Sequence, residues 1–290
     1  MKQTLPALIL LFTACSAPMD GYDLCYVEFK AVTEETRSYD EARLESLDLL
    51  VFEDGGGRLE THIRAGGSDL IRVSLRKNIP YRWWVVANAP EGIFDGFTDE
   101  DSFRHGVNNS IRGPSGVFTM FANGALTAPS ETIEASLNRY ACKVSVNDIS
   151  VPYFETLDRI PDMGLGRLML IDTQDAVYWD GAPVDDCIVD IVEDLSSFPV
   201  SIYCLPNKSA FRHTVIAVEL LFDGISNWYS VSLPQMDCNH HYIIESLVLI
   251  GPGSSSPDIP VSRENISFSV DIDKWKENTS QIVFDSYEND

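Results

Sequence analysis

Cys238, His240 and His241 form the densest run of potential metal ligands in the chain. A thiolate and two imidazoles are suitable donors for zinc. Their spacing is unsuitable, because adjacent residues in an extended strand point to opposite faces and the two histidines cannot both reach one ion. The other histidines are His62, His105 and His213. The acidic pairs Asp99/Asp101 and Asp185/Asp186 lack the regular alternation of oxygen ligands found in a calcium loop, and read as solvated loop charge. Gly55-Gly56-Gly57 follows a strand-like run but opens no helix, so it lacks the amides that cradle phosphate. No Gly-x-Ser-x-Gly elbow and no His-Glu-x-x-His is present. Two carboxylates suffice for glycoside hydrolysis, and an acidic chain always offers pairs. Nothing in the sequence gathers a nucleophile, a base and oxyanion donors. The expectation is a non-enzymatic chain with no metal and no cofactor.

Tryptophans offer a different chemistry. Trp83, Trp84, Trp179, Trp228 and Trp275 could stack on sugar rings. Four of them fall in or beside strand-like runs, where core packing is the default. A surface glycan-binding lipoprotein is therefore the alternative reading of the chain.

Residues 1–20 bear on location. Lys2 is followed by an apolar run from Leu5 to Phe12, then Thr13, Ala14 and Cys15. That run is too short to span a bilayer, which takes ~20 residues, and it reads as an export signal. A cysteine directly after two small residues resembles a bacterial lipobox, with Phe12 where leucine is commoner. Residues 1–14 are then the signal peptide, and Cys15 carries the lipid. An ordinary signal cut near Ala17 is the other reading.

The formal charge is −23, and 44% of residues are hydrophobic. The hydrophobic content supports packed cores. The charge repels phosphate backbones, so nucleic acid is not an expected partner. It gives no help on anionic lipid, so membrane attachment must come from acyl chains. The chain has six cysteines. With Cys15 acylated, an odd number remains and at least one thiol stays free. Connectivity cannot be read from spacing, and Cys187 with Cys204 is one pairing that an oxidising compartment allows.

The elements that must carry all this are short β-rich runs broken by turn residues. Strands are predicted over 22–32, 44–52, 59–63, 70–75, 81–87, 117–122 and 132–137. Residues 44–52 are apolar on both faces toward their end, as in a central strand. In 81–87 (YRWWVVA) the adjacent tryptophans must face opposite ways. One short helix is predicted over 98–107, capped by Thr98. A second series of strands covers 139–146, 167–172, 200–205, 214–222, 228–233, 242–250, 266–272 and 280–284. Two tandem antiparallel β-sandwiches explain this order, one over 15–137 and one over 138–290.

The second series carries ordered motifs. Tyr203-Cys204-Leu205-Pro206-Asn207 precedes a strand ending at Leu221, then Trp228 to Pro234 (WYSVSLP). Asn239-His240-His241-Tyr242 runs into Gly251-Pro252-Gly253 and Pro257 to Pro260, and Trp275 follows late. Upstream stand Leu137 to Val144 (LNRYACKV), Leu47 to Gly55 (LDLLVFEDG) and Trp84 to Asn88 (WVVAN). In this order and spacing the motifs resemble the fimbrillin family, the type V pilins of Bacteroidales bacteria. Two departures stand out. Asn78-Ile79-Pro80 replaces the usual glycine before the WVVAN-like strand, and Lys143 stands alone where the family is more basic.

The resemblance implies two transthyretin-like sandwiches and a structural role as subunit or accessory component of cell-surface fimbriae. It implies export as an outer-membrane lipoprotein, other fimbrial subunits as partners, adhesion as the outcome, and a host or bacterial surface receptor as a further partner. It also implies assembly by strand exchange, in which one subunit's strand fills a groove of unpaired backbone in another. The displaced occupant would be the first strand, freed by a trypsin-like cut after Arg37 or Arg43; an exposed, uncut arginine is the other reading. The donor would be the tail at about 278–287, with Ile282 and Phe284 on one face and Val283 on the other. Completion of its own sheet by that tail is the alternative. Stalk, tip and anchor roles all remain open.

Overall fold

The computed structural model describes residues 23–33, 42–54, 57–113, 116–128, 132–209, 212–259, 265–274 and 279–282. In chain order the strands are β1 (Leu24–Thr33), β2 (Ser46–Glu53), β3 (Leu59–Gly66), β4 (Leu70–Arg76), β5 (Pro80–Ala87), β6 (Val107–Asn108), β7 (Met120–Thr127) and β8 (Thr132–Arg139). They continue as β9 (Cys142–Val146), β10 (Ile149–Ser150), β11 (Met163–Gln174), β12 (Val177–Tyr178), β13 (Ile188–Asp194), β14 (Val200–Cys204), β15 (Val215–Phe222) and β16 (Ile225–Ser232). The last are β17 (His240–Ile244), β18 (Leu247–Leu249), β19 (Ile266–Ser267), β20 (Val270–Lys274) and β21 (Thr279–Ile282). One α-helix, α1 (Glu100–Arg104), lies among the described residues. It falls inside the predicted helical span, but its cap is Asp99, whose carboxylate accepts from the Ser102 amide at 2.8 Å. A carboxylate one residue on reaches the free amides of the first turn better than the Thr98 hydroxyl.

Strands β1 to β8, β6 excepted, form one seven-stranded sheet in the order β3-β2-β5-β7-β8-β1-β4. It curls until its outer strands approach, with Arg76 of β4 bonded to Glu60 of β3 at 3.1 Å. The enclosed core gathers Val27, Phe29, Leu49, Val51, Trp83 and Val85. After residue 141 the larger sheets run β13-β11-β15-β16 and β14-β9-β17-β20-β21. They close over a second core containing Val144, Leu170, Ile202, Val218, Tyr242 and Ile244. Most ladders are antiparallel, but β1 runs parallel to β8, β9 to β17 and β10 to β18.

A third apolar cluster joins the two halves. Leu50, Phe52, Trp84 and Val86 leave the opposite faces of β2 and β5 and meet Phe94, Phe103, Val177, Trp179 and Leu205. This is why β2 is apolar on both faces, and why Trp83 and Trp84 part company into different cores. The Tyr140 hydroxyl donates to the Trp179 carbonyl at 2.6 Å, and β12 pairs with β6 across the same seam. Asp48 sits on the outer face of β2 with no exposure, which a carboxylate tolerates only when partnered. Arg64 reaches it at 2.6 Å and His62 at 2.9 Å.

Three asparagines pin the turns. Asn88 adopts a left-handed backbone (φ 59°), which asparagine tolerates better than most residues. Its amide donates to the Arg43 and Phe118 carbonyls and accepts from the Glu45 amide, tying the entry of β2 to the strand beyond β5. Asn207 donates to the Asp172 and Arg212 carbonyls. Asn239, also left-handed, holds the buried Arg139 at the seam.

Glu219 of β15 is buried and bonded by Arg167 at 2.7 Å, which holds its carboxyl below the usual carboxylate range. A carboxyl with a depressed folded-state pKa adds stability above its unfolded value, about 4.3, and loses it as pH falls through the folded value. Glu219→Gln should therefore destabilise the protein at neutral pH, and its deficit relative to wild type should shrink below about pH 4. Urea melts across pH check this.

Candidate functional site

The strand predicted as a displaceable occupant is β1, and it is an interior strand. On one side it pairs antiparallel with β4, from Leu24 opposite Arg76 to Lys30 opposite Leu70. On the other it pairs parallel with β8, from Glu28 opposite Thr132 to Thr33 opposite Leu137. Backbone bonds from Ala31 to Asp69 and from Lys77 to Asp23 extend the first ladder at both ends. The alternation LCYVEFKAVT drives the seating. Cys25, Val27, Phe29 and Ala31 point inward and are buried. Leu24 and Tyr26 point outward, Tyr26 at 72% exposure. Phe29 meets Trp83 edge to face, ring centres 5.4 Å apart. At the rim, Arg72 donates to Glu28 at 2.5 Å and Lys77 pairs with Asp23 at 2.9 Å. These exposed ion pairs set register more than stability.

Burying Val27 and Phe29 stabilises the fold by roughly 1.5–3 kcal/mol each. A seat emptied of β1 would expose that apolar floor between two rows of unpaired backbone. Such an edge recruits another strand. The pattern it accepts is one small-to-large apolar side chain at every second residue, which is what β1 supplies.

At the other end of the chain, β21 pairs with β20, with Ile282 opposite Val270, and forms the outer strand of its sheet. The backbone at Ile282 thus lies on its own sheet. Among the described residues β21 is held on one side only, by its ladder to β20. Cys15, Arg37, Val283, Phe284 and Trp275 lie outside the described residues.

The C-terminal motif residues now have physical reasons. The Gly-x-Gly loop passes so close to β16 that a Cβ on Gly253 would lie 2.9 Å from the Trp228 carbonyl oxygen, and one on Gly251 2.1 Å from Asn265 Oδ1. Ser254 and Trp228 exchange two backbone bonds there. The Tyr229 hydroxyl donates to the Gly251 carbonyl, and burial pushes its pKa up to about 12. The Tyr242 hydroxyl accepts from the Asp237 amide at 2.7 Å, closing the turn that Asn239 begins.

The other chemistry considered does not assemble. Among the described residues no three His, Cys, Asp or Glu are placed to hold a metal ion. His240 turns to the Cys238 carbonyl and His241 to the Ser145 hydroxyl, as their alternation requires. Trp83, Trp84, Trp179 and Trp228 are buried and offer no sugar platform. A cavity of about 250 Å³ beside Glu45, Arg64, Asn88 and Glu91 is smaller than a usual ligand pocket. The pairing of Cys187 with Cys204 is not the one the fold favours. Cys187 adjoins β13 of one sheet, whereas Cys204 ends β14 of another and faces Cys142. No helix among the described residues is long and apolar enough to cross a membrane.

The alternation of β1 makes a sharp prediction. Phe29→Ala should cost about 3–5 kcal/mol of unfolding free energy, whereas Tyr26→Ala, on the same strand but exposed, should change it by less than about 0.5 kcal/mol. Chemical denaturation of both variants tests the assignment.

No protein-family model matches the sequence, and no curated protein matches it. Solved structures do. A fimbrilin from Porphyromonas gingivalis W83 is 13% identical, with 87% of this chain and 97% of that one covered at a TM-score of 0.67. A fimbrial assembly protein from Parabacteroides distasonis ATCC 8503 is 13% identical, with 90% and 100% covered at 0.59. The tip fimbrial protein Mfa3 from Porphyromonas gingivalis, truncated at its C-terminus, is 11% identical, with 87% and 100% covered at 0.59. The chain thus has the nearly all-β fold of Bacteroidales fimbrilins and fimbrial tip and assembly proteins, shared over most of its length at low identity.

Proposed function

We propose that this protein is a structural subunit or accessory component of cell-surface fimbriae, assembled by strand exchange and contributing to adhesion. The observation that carries the reading is the seat of β1, an interior strand at the N-terminal end of its sheet. Its only onward covalent connection is the segment that contains Arg37. A cut there leaves β1 held by non-covalent bonds alone. The fold shared with fimbrilins and fimbrial tip proteins supports the same reading.

On this reading residues 15–137 and 138–290 are two sandwich domains; the separate cores on either side of the seam support that division. Cys15 is lipidated after removal of residues 1–14, and the lipid anchors the uncut chain in the outer membrane; a cut after Arg37 parts Cys15 and β1 together from the rest of the chain. The segment containing Ile282, Val283 and Phe284 is the donor, leaving the edge of its own sheet to enter a neighbour's seat. The protein is not an enzyme, and its partners are other fimbrial subunits and a surface receptor.

Trypsin clipping of the purified mature chain near Arg37 should release β1 and yield ladders on non-denaturing electrophoresis. Deleting residues 278–290 should abolish the ladders while leaving the clip intact. A strictly monomeric product after a verified clip contradicts strand exchange by this chain.

A further inference from the structure

We propose that Cys142 and Cys204 form a disulfide that fastens the outer strand β14 to β9. The two residues stand directly opposite each other in this antiparallel ladder, and their Sγ atoms lie 3.5 Å apart. Opposed residues of such a pair have Cα atoms ~4.5–5.5 Å apart, inside the ~4.4–6.8 Å that a disulfide spans. The other described thiols are placed differently. Cys25 donates to the Leu75 carbonyl within the first core, Cys187 adjoins β13 of a different sheet, and Cys238 packs at the seam.

The position gives the bond a purpose. β14 is the last strand of its sheet and pairs there with β9 alone. Its continuation delivers Leu205 to the cluster between the halves and Asn207 to its turn-pinning bonds. A covalent tie at residue 204 fixes the strand on which both depend. Both cysteines are sealed, at 0% and 1% exposure, and burial raises the Cys142 thiol well above its ordinary range. A sealed thiol of that kind reacts slowly, so the bond is made while the chain folds.

The chemistry is thiol–disulfide exchange. The two cysteine thiols lose two protons and two electrons as the new S–S bond forms. A disulfide oxidant accepts them as its own S–S bond breaks to two thiols. Oxidation in the cell rests on the surface location proposed above, since cytosolic thiols stay reduced.

The test is refolding of the full chain carrying Cys187→Ser and Cys238→Ser from urea, with reduced and oxidised glutathione. Digestion with trypsin and a glutamate-specific protease should give a linked pair, one peptide holding Cys142 and the other Cys204, and denatured protein should show both blocked to alkylation. The oxidised form should melt several degrees above the same protein reduced. This comparison needs no cysteine removed from the sealed site. Free Cys142 and Cys204 in folded, refolded protein overturn the pairing. The wild-type chain, alkylated as taken from cells, supplies the second arm. A linked pair there supports the bond in the native protein. Free thiols there, with linkage after refolding, overturn the surface location and with it the native bond, leaving the geometry intact.

Discussion

Everything in the first half depends on the seating of β1. Backbone amides and carbonyls on β4 and β8 face it from both sides. None of them can be left dry and unpaired without a cost of ~1–3 kcal/mol each. Below them lies an apolar floor that Val27 and Phe29 cover. An interior strand is normally the least exchangeable part of a sheet. Here it comes first among the described strands, so one cut in the chain would turn it from a tethered strand into a bound peptide. The energetics that make it stable are the same that would make its replacement by another strand favourable.

The rest of the first half is tied to the second through β2 and β5. β2 and β5 are buried on both faces because the curled sheet lies below them and the aromatic seam above. Phe103 stacks over Trp179, and Phe94 packs against the same indole edge to face. Arg104 pairs with Asp180 at the edge of this seam, at 3.1 Å. The seam carries polar bonds as well as apolar area, since the Tyr140 hydroxyl donates to the Trp179 carbonyl. The halves are thereby held in register.

Much of this was legible in the sequence, because its strongest signals are local. Period-two alternation placed β1, and doubled apolar character placed β2 at the centre. Adjacent tryptophans in an extended run had to face opposite ways, and Trp83 and Trp84 do enter different clusters. Short strands escaped, among them β6, β10 and β12, because two residues carry no period. β13 escaped for another reason. It is an outer strand with charged and exposed side chains on both faces, so no alternation marks it. The parallel pairings could not be read either, since direction follows from topology and not from pattern. The roles of Asn88, Asn207 and Asn239 were hidden too. A buried asparagine that pins a turn looks in sequence like any loop asparagine; for Asn88 and Asn239 the one local hint is the left-handed backbone that asparagine tolerates.

The most direct measurement of the account is hydrogen exchange at the amides of β4 and β8 that face β1. In the intact chain they should be protected. After cleavage at Arg37 and removal of the released strand they should exchange quickly. Addition of a synthetic peptide of residues 278–290 should restore their protection. If those amides keep full protection once β1 is gone, or if the peptide leaves them unprotected, the seat is not an exchange site and the account fails.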